Sequence, residues 1–190
     1  DEELTAIATT AAEKGLGANS PEIADLINQK ITYKPGAKLT GNAADTFQTL
    51  QNTAMANGMN LDEVFSSNIQ DWLQKIAKGD SIDKYKKLIR ESAKVGLPDS
   101  VKKLLDQGVD LNTIYSPYKN MMGNILEINP DTIGINDLVL RGAIGPDKEM
   151  SLYEWQRALR KDPRWQYTNN ARSEASNAVQ TVLKDFGFMG

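Results

Sequence analysis

The chain contains no cysteine and no histidine. The first absence excludes disulfides, thiolate nucleophiles, zinc–cysteine sites and iron–sulfur clusters. The second removes the commonest general base near neutral pH, the usual imidazole metal ligand, and every Ser-His-Asp or Cys-His arrangement. Only carboxylate chemistry, lysine chemistry or a hard-metal site is left. No apolar run approaches the roughly 18 residues from which a membrane helix is read. The formal charge of -3 supplies no general attraction to nucleic acid or anionic lipid. The opening DEELTAIATTAAEKG has neither the basic n-region nor the apolar h-region of a signal peptide, and its helical pattern begins at once, as expected of a chain continuing from a longer parent.

What is present is helical spacing. With 40% hydrophobic and 25% charged residues over 190 positions, the composition is globular and suits one domain or two small lobes. Leu4, Ile7, Ala8 and Ala11 recur at i, i+3, i+4 and i+7, with Gly15 as a stop. Ser20-Pro21 is an N-cap followed by a first-turn proline, opening a helix through Ile23, Leu26 and Ile27. ITYKPGAKLTG interrupts the pattern and predicts a linker, with Ile31 and Tyr33 in a short extended piece. Apolar stripes then predict helices through Ala44–Ala54, Ile69–Ile76, Ile82–Ile89, Val101–Leu105 and Leu111–Ile125. Turn residues follow around Asn129-Pro130, Gly134 and Gly145-Pro146. Ser151 caps a helix carrying Leu152, Trp155 and Leu159, and Asp162-Pro163 ends it. A last helix from about Thr168 to Asp185 is expected to bury Ala175, Ala178, Val179, Val182 and Phe186. The expected fold is all-α, an irregular bundle of eight or nine short helices without a substantial β-sheet. Its segments would be an N-terminal helical pair over 1–32, a central lobe over 33–108 and a C-terminal lobe over 109–190. The glycines are too irregularly spaced for a repeat array.

Three chemical motifs fail on inspection. The Glu-Ser pair in RESAKVGLP (90–98) is shared with goose-type and lytic transglycosylases, whose glutamate is a general acid in a sugar groove. The rest of their pattern is missing here, and Glu91 lies mid-helix among Lys and Arg, where i, i+4 pairing is expected. NPDTIGINDLVL places Ile133 and Ile135 where an EF-hand needs oxygen ligands. The glycines form no phosphate-binding loop. Lys84, Lys86, Lys87, Arg90, Lys102 and Lys103 make a candidate basic face, but Asp83, Glu91, Asp99 and Asp106 interleave with them, so a solvated helical surface is the simpler reading.

The segment from Trp155 to Tyr167 is more distinctive. Arg157, Arg160, Lys161 and Arg164 crowd around Trp155, Trp165 and Tyr167. The group could receive a carboxylate, a phosphate or a partner helix. Alternatively, Trp155 and Leu159 face a core, Pro163 turns the chain, Trp165 and Tyr167 plug the corner, and Arg164 covers an aromatic face. YKNMMGNILEINPDTIGINDLVLRGAIG and KEMSLYEWQRALRKDPRWQYTNNARSEASNAVQTVLKDFGFMG together resemble the C-terminal region of large virion structural proteins of tailed bacteriophages. In those an LEINP turn, an LR-x-DPRW corner and a closing L-x-DFG stand at similar spacing. Upstream, ITYKPG, a G-x-A start before Phe47, W-x-x-x-I-x-x-G and LIRESAK are similar too. The likeness covers most of the chain, most distinctively from Leu126 to Phe188.

The resemblance implies a nonenzymatic module of the tail or genome-delivery machinery, as a tape-measure-like, tail-tip or internal ejection component. Such a module needs no cofactor or metal. Its partners would be tail, tail-tip or portal proteins and copies of itself, in a virion assembled in the host cytoplasm. The motif matches are Trp155, Arg160, Asp162, Pro163, Trp165 and Asp185-Phe186-Gly187. The alternatives are a carboxylate-based cell-wall hydrolase centred on Glu91 or a neighbour, and a DNA-contacting ejected protein using the candidate basic face.

Overall fold

The computed structural model describes residues 2–30, 41–146 and 148–188. Among them the protein is all-α, with eleven α-helices, two 3-10 turns and no strand. An isolated antiparallel bridge joins Ile144 to Glu149. Nine helices coincide with the stripes expected from periodicity. The two additional ones, Leu61–Phe65 and Leu138–Arg141, are too short for a 3.6-residue pattern to repeat. The expected linker and its extended piece at Ile31 and Tyr33 lie outside the described residues. The chain divides into two compact units, Asp1–Ala93 and Lys94–Gly190. Residues 94–108, expected in a central lobe, therefore belong with the C-terminal unit.

The first unit holds α1 (Glu2–Glu13), α2 (Pro21–Lys30), α3 (Gly41–Ala56), α4 (Leu61–Phe65), α5 (Ile69–Ala77) and α6 (Ile82–Ala93). Its core joins Leu50 and Ala54 of α3 to Leu61, Ile69, Trp72, Leu73, Tyr85 and Ile89. Phe65, Trp72 and Tyr85 form a tilted aromatic run with centroids 4.9 and 5.2 Å apart, within the range where such pairs attract beyond simple burial. Tyr85 donates its O–H to Asp80 at 2.6 Å. Burial first, and that hydrogen bond second, push its phenol up to about 12. Leu88, apolar and within the Ile82–Ile89 stripe, is exposed; it lies off the face that Ile82, Tyr85 and Ile89 share.

The second unit holds α7 (Asp99–Asp106), α8 (Leu111–Leu126), α9 (Leu138–Arg141), α10 (Leu152–Leu159) and α11 (Asn169–Asp185). Helix α8 is its backbone, burying Leu111, Ile114, Tyr115, Tyr118, Met122 and Leu126. Helix α10 packs on it through Trp155, whose indole N–H donates to the Tyr118 carbonyl at 3.0 Å and whose ring meets Tyr118 edge-on at 6.3 Å. The Tyr118 hydroxyl donates to the Met150 carbonyl at 2.6 Å and also lies 2.9 Å from Glu149 Oε1. Burial, then the Glu149 contact, raises the Tyr118 phenol above its ordinary range.

The LEINP segment folds back on the end of α8. A Cβ on Gly123 would stand 2.9 Å from the Ile128 carbonyl oxygen and 3.0 Å from Pro130 Cδ. That close approach requires glycine within the helix.

Candidate functional site

The corner between α10 and α11 is built from local hydrogen bonds. Helix α10 begins with a capping box in which Ser151 Oγ accepts from Glu154 N–H at 3.2 Å and Glu154 accepts from Ser151 N–H at 2.8 Å. Lys148 pairs with the same carboxylate. That pair, then the hydrogen bonds the carboxylate accepts from the Ser151 backbone N–H and from the Ser151 hydroxyl at 2.9 Å, holds the Glu154 carboxyl down at about 2. The helix ends at Leu159, and Asp162 organises the turn. Its carboxylate accepts from the Arg164 backbone N–H at 2.8 Å and from the Arg164 guanidinium at 2.9 Å through both Nε and Nη2. This forked pairing lowers the Asp162 carboxyl and raises the Arg164 guanidinium, each chiefly through the other. Pro163 sits between them, its fixed φ suited to a turn.

The expected aromatic arrangement is corrected in two respects. Arg164 does not cover an aromatic face, because Asp162 holds it; Arg160 does, with its guanidinium 5.8 Å from the centre of the Trp165 ring. Tyr167 does not plug the corner but is 75% exposed, and Trp165 is half-buried. The buried tryptophan of this corner is Trp155, as expected. Arg160 also pairs with Glu174 of α11. The guanidiniums of Arg160 and Arg164 therefore already face carboxylates of their own chain, which weakens the corner as an anion receptor.

The start of α11 is held from two sides. Thr168, buried, accepts from the Ala171 N–H at 3.0 Å and donates to the Trp165 carbonyl at 2.7 Å. From the end of α8, Glu127 accepts from the backbone N–H groups of Asn169 and Asn170 at 3.0 and 2.8 Å. These bonds, with the nearby Arg172 charge, lower the Glu127 carboxyl. Sequence reasoning missed Glu127. Its signal was a non-glycine residue at a helix stop, directly before Ile-Asn-Pro.

The rest of α11 is uncovered. The helix buries no residue. Ala175 and Ala178 are exposed, and Val179, Val182 and Phe186 are 57, 52 and 75% exposed. The expected burial of this face is overturned within the chain: the helix touches its own unit only through its first turns. Asp185-Phe186-Gly187 forms the exposed far end of α11, with Gly187 at φ 77. A helix of this length spans about 25 Å, so the structure does not bring that motif to the corner.

The other candidates are dispersed. On α6, Lys84 pairs with Asp80 at 2.8 Å and Lys86 with Asp83 at 3.3 Å; on α7, Lys102 pairs with Asp99 at 3.1 Å. Lys84, Lys86, Lys87 and Arg90 lie in one unit, Lys102 and Lys103 in the other. Glu91 is exposed on α6. Among the described residues no group of three or more carboxylates is placed to hold a metal ion, and no helix is long and apolar enough to cross a membrane. A cleft of about 350 Å³ lies by Gly142, Gly145, Met150 and Lys148, whose ammonium is paired with Glu154. Compared with protein-family models, curated proteins and solved structures, the chain matches none.

Proposed function

We propose that the chain is a nonenzymatic assembly module, a structural component of a tailed-bacteriophage virion that docks in the tail or genome-delivery apparatus through α11. One observation carries the docking part of this reading. A helix of 17 residues leaves its whole apolar stripe in water. Uncovered, that stripe forgoes the burial that normally stabilises an amphipathic helix, and contiguous exposed apolar surface marks interaction sites. The resemblance over Leu126–Phe188 supplies the setting. Each unit is read as an irregular bundle of short helices, and the second displays α11. In a symmetric assembly several copies would act together, so a modest contact per copy suffices.

A photo-crosslinker placed at Val182 in the particle-borne protein tests the reading. Adducts with tail, tail-tip or portal proteins, or with further copies of the chain, are expected. Purified particles lacking the chain would overturn the virion assignment, and particles containing it without adducts would overturn docking through α11. On a peptidoglycan zymogram no clearing is expected; a clearing zone abolished by Glu91→Gln would favour the hydrolase instead.

A further inference from the structure

Glu127 occupies an uncommon position. It caps α8 at φ 55 and ψ 43, and it is the one non-glycine residue with positive φ among the described residues. That conformation disfavours any residue with a Cβ, and glycine is its usual occupant after a helix. A glycine would close α8 with less strain, so what glutamate adds is its carboxylate. Oε2 accepts from the Asn169 backbone N–H at 3.0 Å and from its Nδ2 at 3.1 Å, and Oε1 accepts from the Asn170 N–H at 2.8 Å. Asn170 Nδ2 returns a hydrogen bond to the Asn124 carbonyl of α8 at 3.0 Å. A carboxylate thus satisfies donors that the first turn of α11 cannot pair internally, where the helix dipole favours negative charge. Thr168 and the Arg160–Glu174 pair are the further attachments, and every described residue from Ala175 to Phe188 is exposed.

We propose that Glu127 is a latch that sets the direction of α11, and that the helix pivots about the Trp165–Thr168 turn when the latch opens. As regulation of docking this rests on the preceding reading; as a latch it is a property of the chain in isolation. The charged group facing the carboxylate is Arg172 of α11, and α8 contributes the uncharged Asn124. Loss of the Glu127 charge therefore weakens the hold on the first turn of α11, leaving the Asn170–Asn124 hydrogen bond and the Thr168 cap in place.

The chain has no native cysteine, so spin labels at Asn120→Cys and Gln180→Cys report the distance between α8 and α11 alone. A single narrow distribution is expected for the wild type at neutral pH. Glu127→Gly removes the acceptor while relieving the left-handed conformation, so it should keep the wild-type circular dichroism and melting temperature yet at least double the width of the distribution. Glu127→Asn also tolerates the left-handed region but is too short to reach both amides, and should broaden it likewise. A Glu127→Gly distribution as narrow as the wild type, or a wild type already as broad as the variant, overturns the latch. Val182→Asp should leave the distances unchanged while reducing adducts in particles, so failure of docking and failure of the latch are read separately.

Discussion

Trp155 and Trp165 occupy neighbouring parts of one corner, yet their truncation should have different consequences. Trp155 is 2% exposed, donates its indole N–H to Tyr118 and meets that ring edge-on. Replacing a fully buried aromatic by alanine costs about 3–5 kcal/mol in lost transfer energy and residual cavity. Loss of the edge-on pair, about 0.5–1.5 kcal/mol, places Trp155→Ala in the upper part of that range. Trp165 is half-buried and its ring meets the Arg160 guanidinium. About two-thirds of a full aromatic burial of up to roughly 3 kcal/mol, with about 0.5 kcal/mol for an exposed cation–π contact, gives about 2.5 kcal/mol for Trp165→Ala, below the loss expected for Trp155→Ala. Arg160 keeps its Glu174 partner in that variant, so no stranded charge enlarges the loss. Guanidinium unfolding followed by circular dichroism measures both losses, and hydrogen exchange of the α8 amides localises them to the C-terminal unit. Equal losses, or a larger one for Trp165→Ala, would refute the assignment of Trp155 as the anchor of α10.

Gly123→Ala gains about 0.5–1 kcal/mol of helix propensity, but its Cβ would press on the Ile128 carbonyl, an overpacking worth about 1–3 kcal/mol. The net expectation is a lowered melting temperature by calorimetry, and an increase would show that the LEINP turn yields freely. Val182→Asp, at a half-exposed position, should change stability by less than about 0.5 kcal/mol; a larger fall in denaturant midpoint would mean that α11 packs on its own chain. Glu154 should titrate at about 2 by side-chain NMR. Because its folded value is depressed, its contribution to stability is full above the ordinary carboxylate range and is lost as pH falls towards 2. Lys148→Ala should move that titration upward, and an unmoved value would show that the ion pair is absent in solution.

Most helices were legible because local rules and packing agree in them. The Ser151 cap, the Gly15 stop and the Leu111–Ile125 stripe each name one conformation. Helices α4 and α9 escaped because four or five residues carry no period. The site was legible in its covalent order but not in its pairings. Arg164 is next to Trp165 in the sequence and Arg160 is five positions before it, yet the turn gives Asp162 the nearer guanidinium and lays the farther one over the ring. Glu127 and Asn169 are 42 positions apart, a separation that no local pattern bridges.

Helix α11 shows where periodicity stops being informative. The stripe Ala175–Ala178–Val179–Val182–Phe186 states that one face of a helix favours cover, and the helix forms where that stripe predicts it. An amphipathic pattern does not say whether the cover is the same chain, a second copy or another protein, because the hydrophobic effect rewards removal from water whatever surface removes it. The first turn of α11 is satisfied within the chain by Thr168 and Glu127, while its apolar face is not. A helix fixed at its base and uncovered along its length keeps its apolar face open to an occupant, and the proposed docking is therefore tested at Val182 and not at the corner.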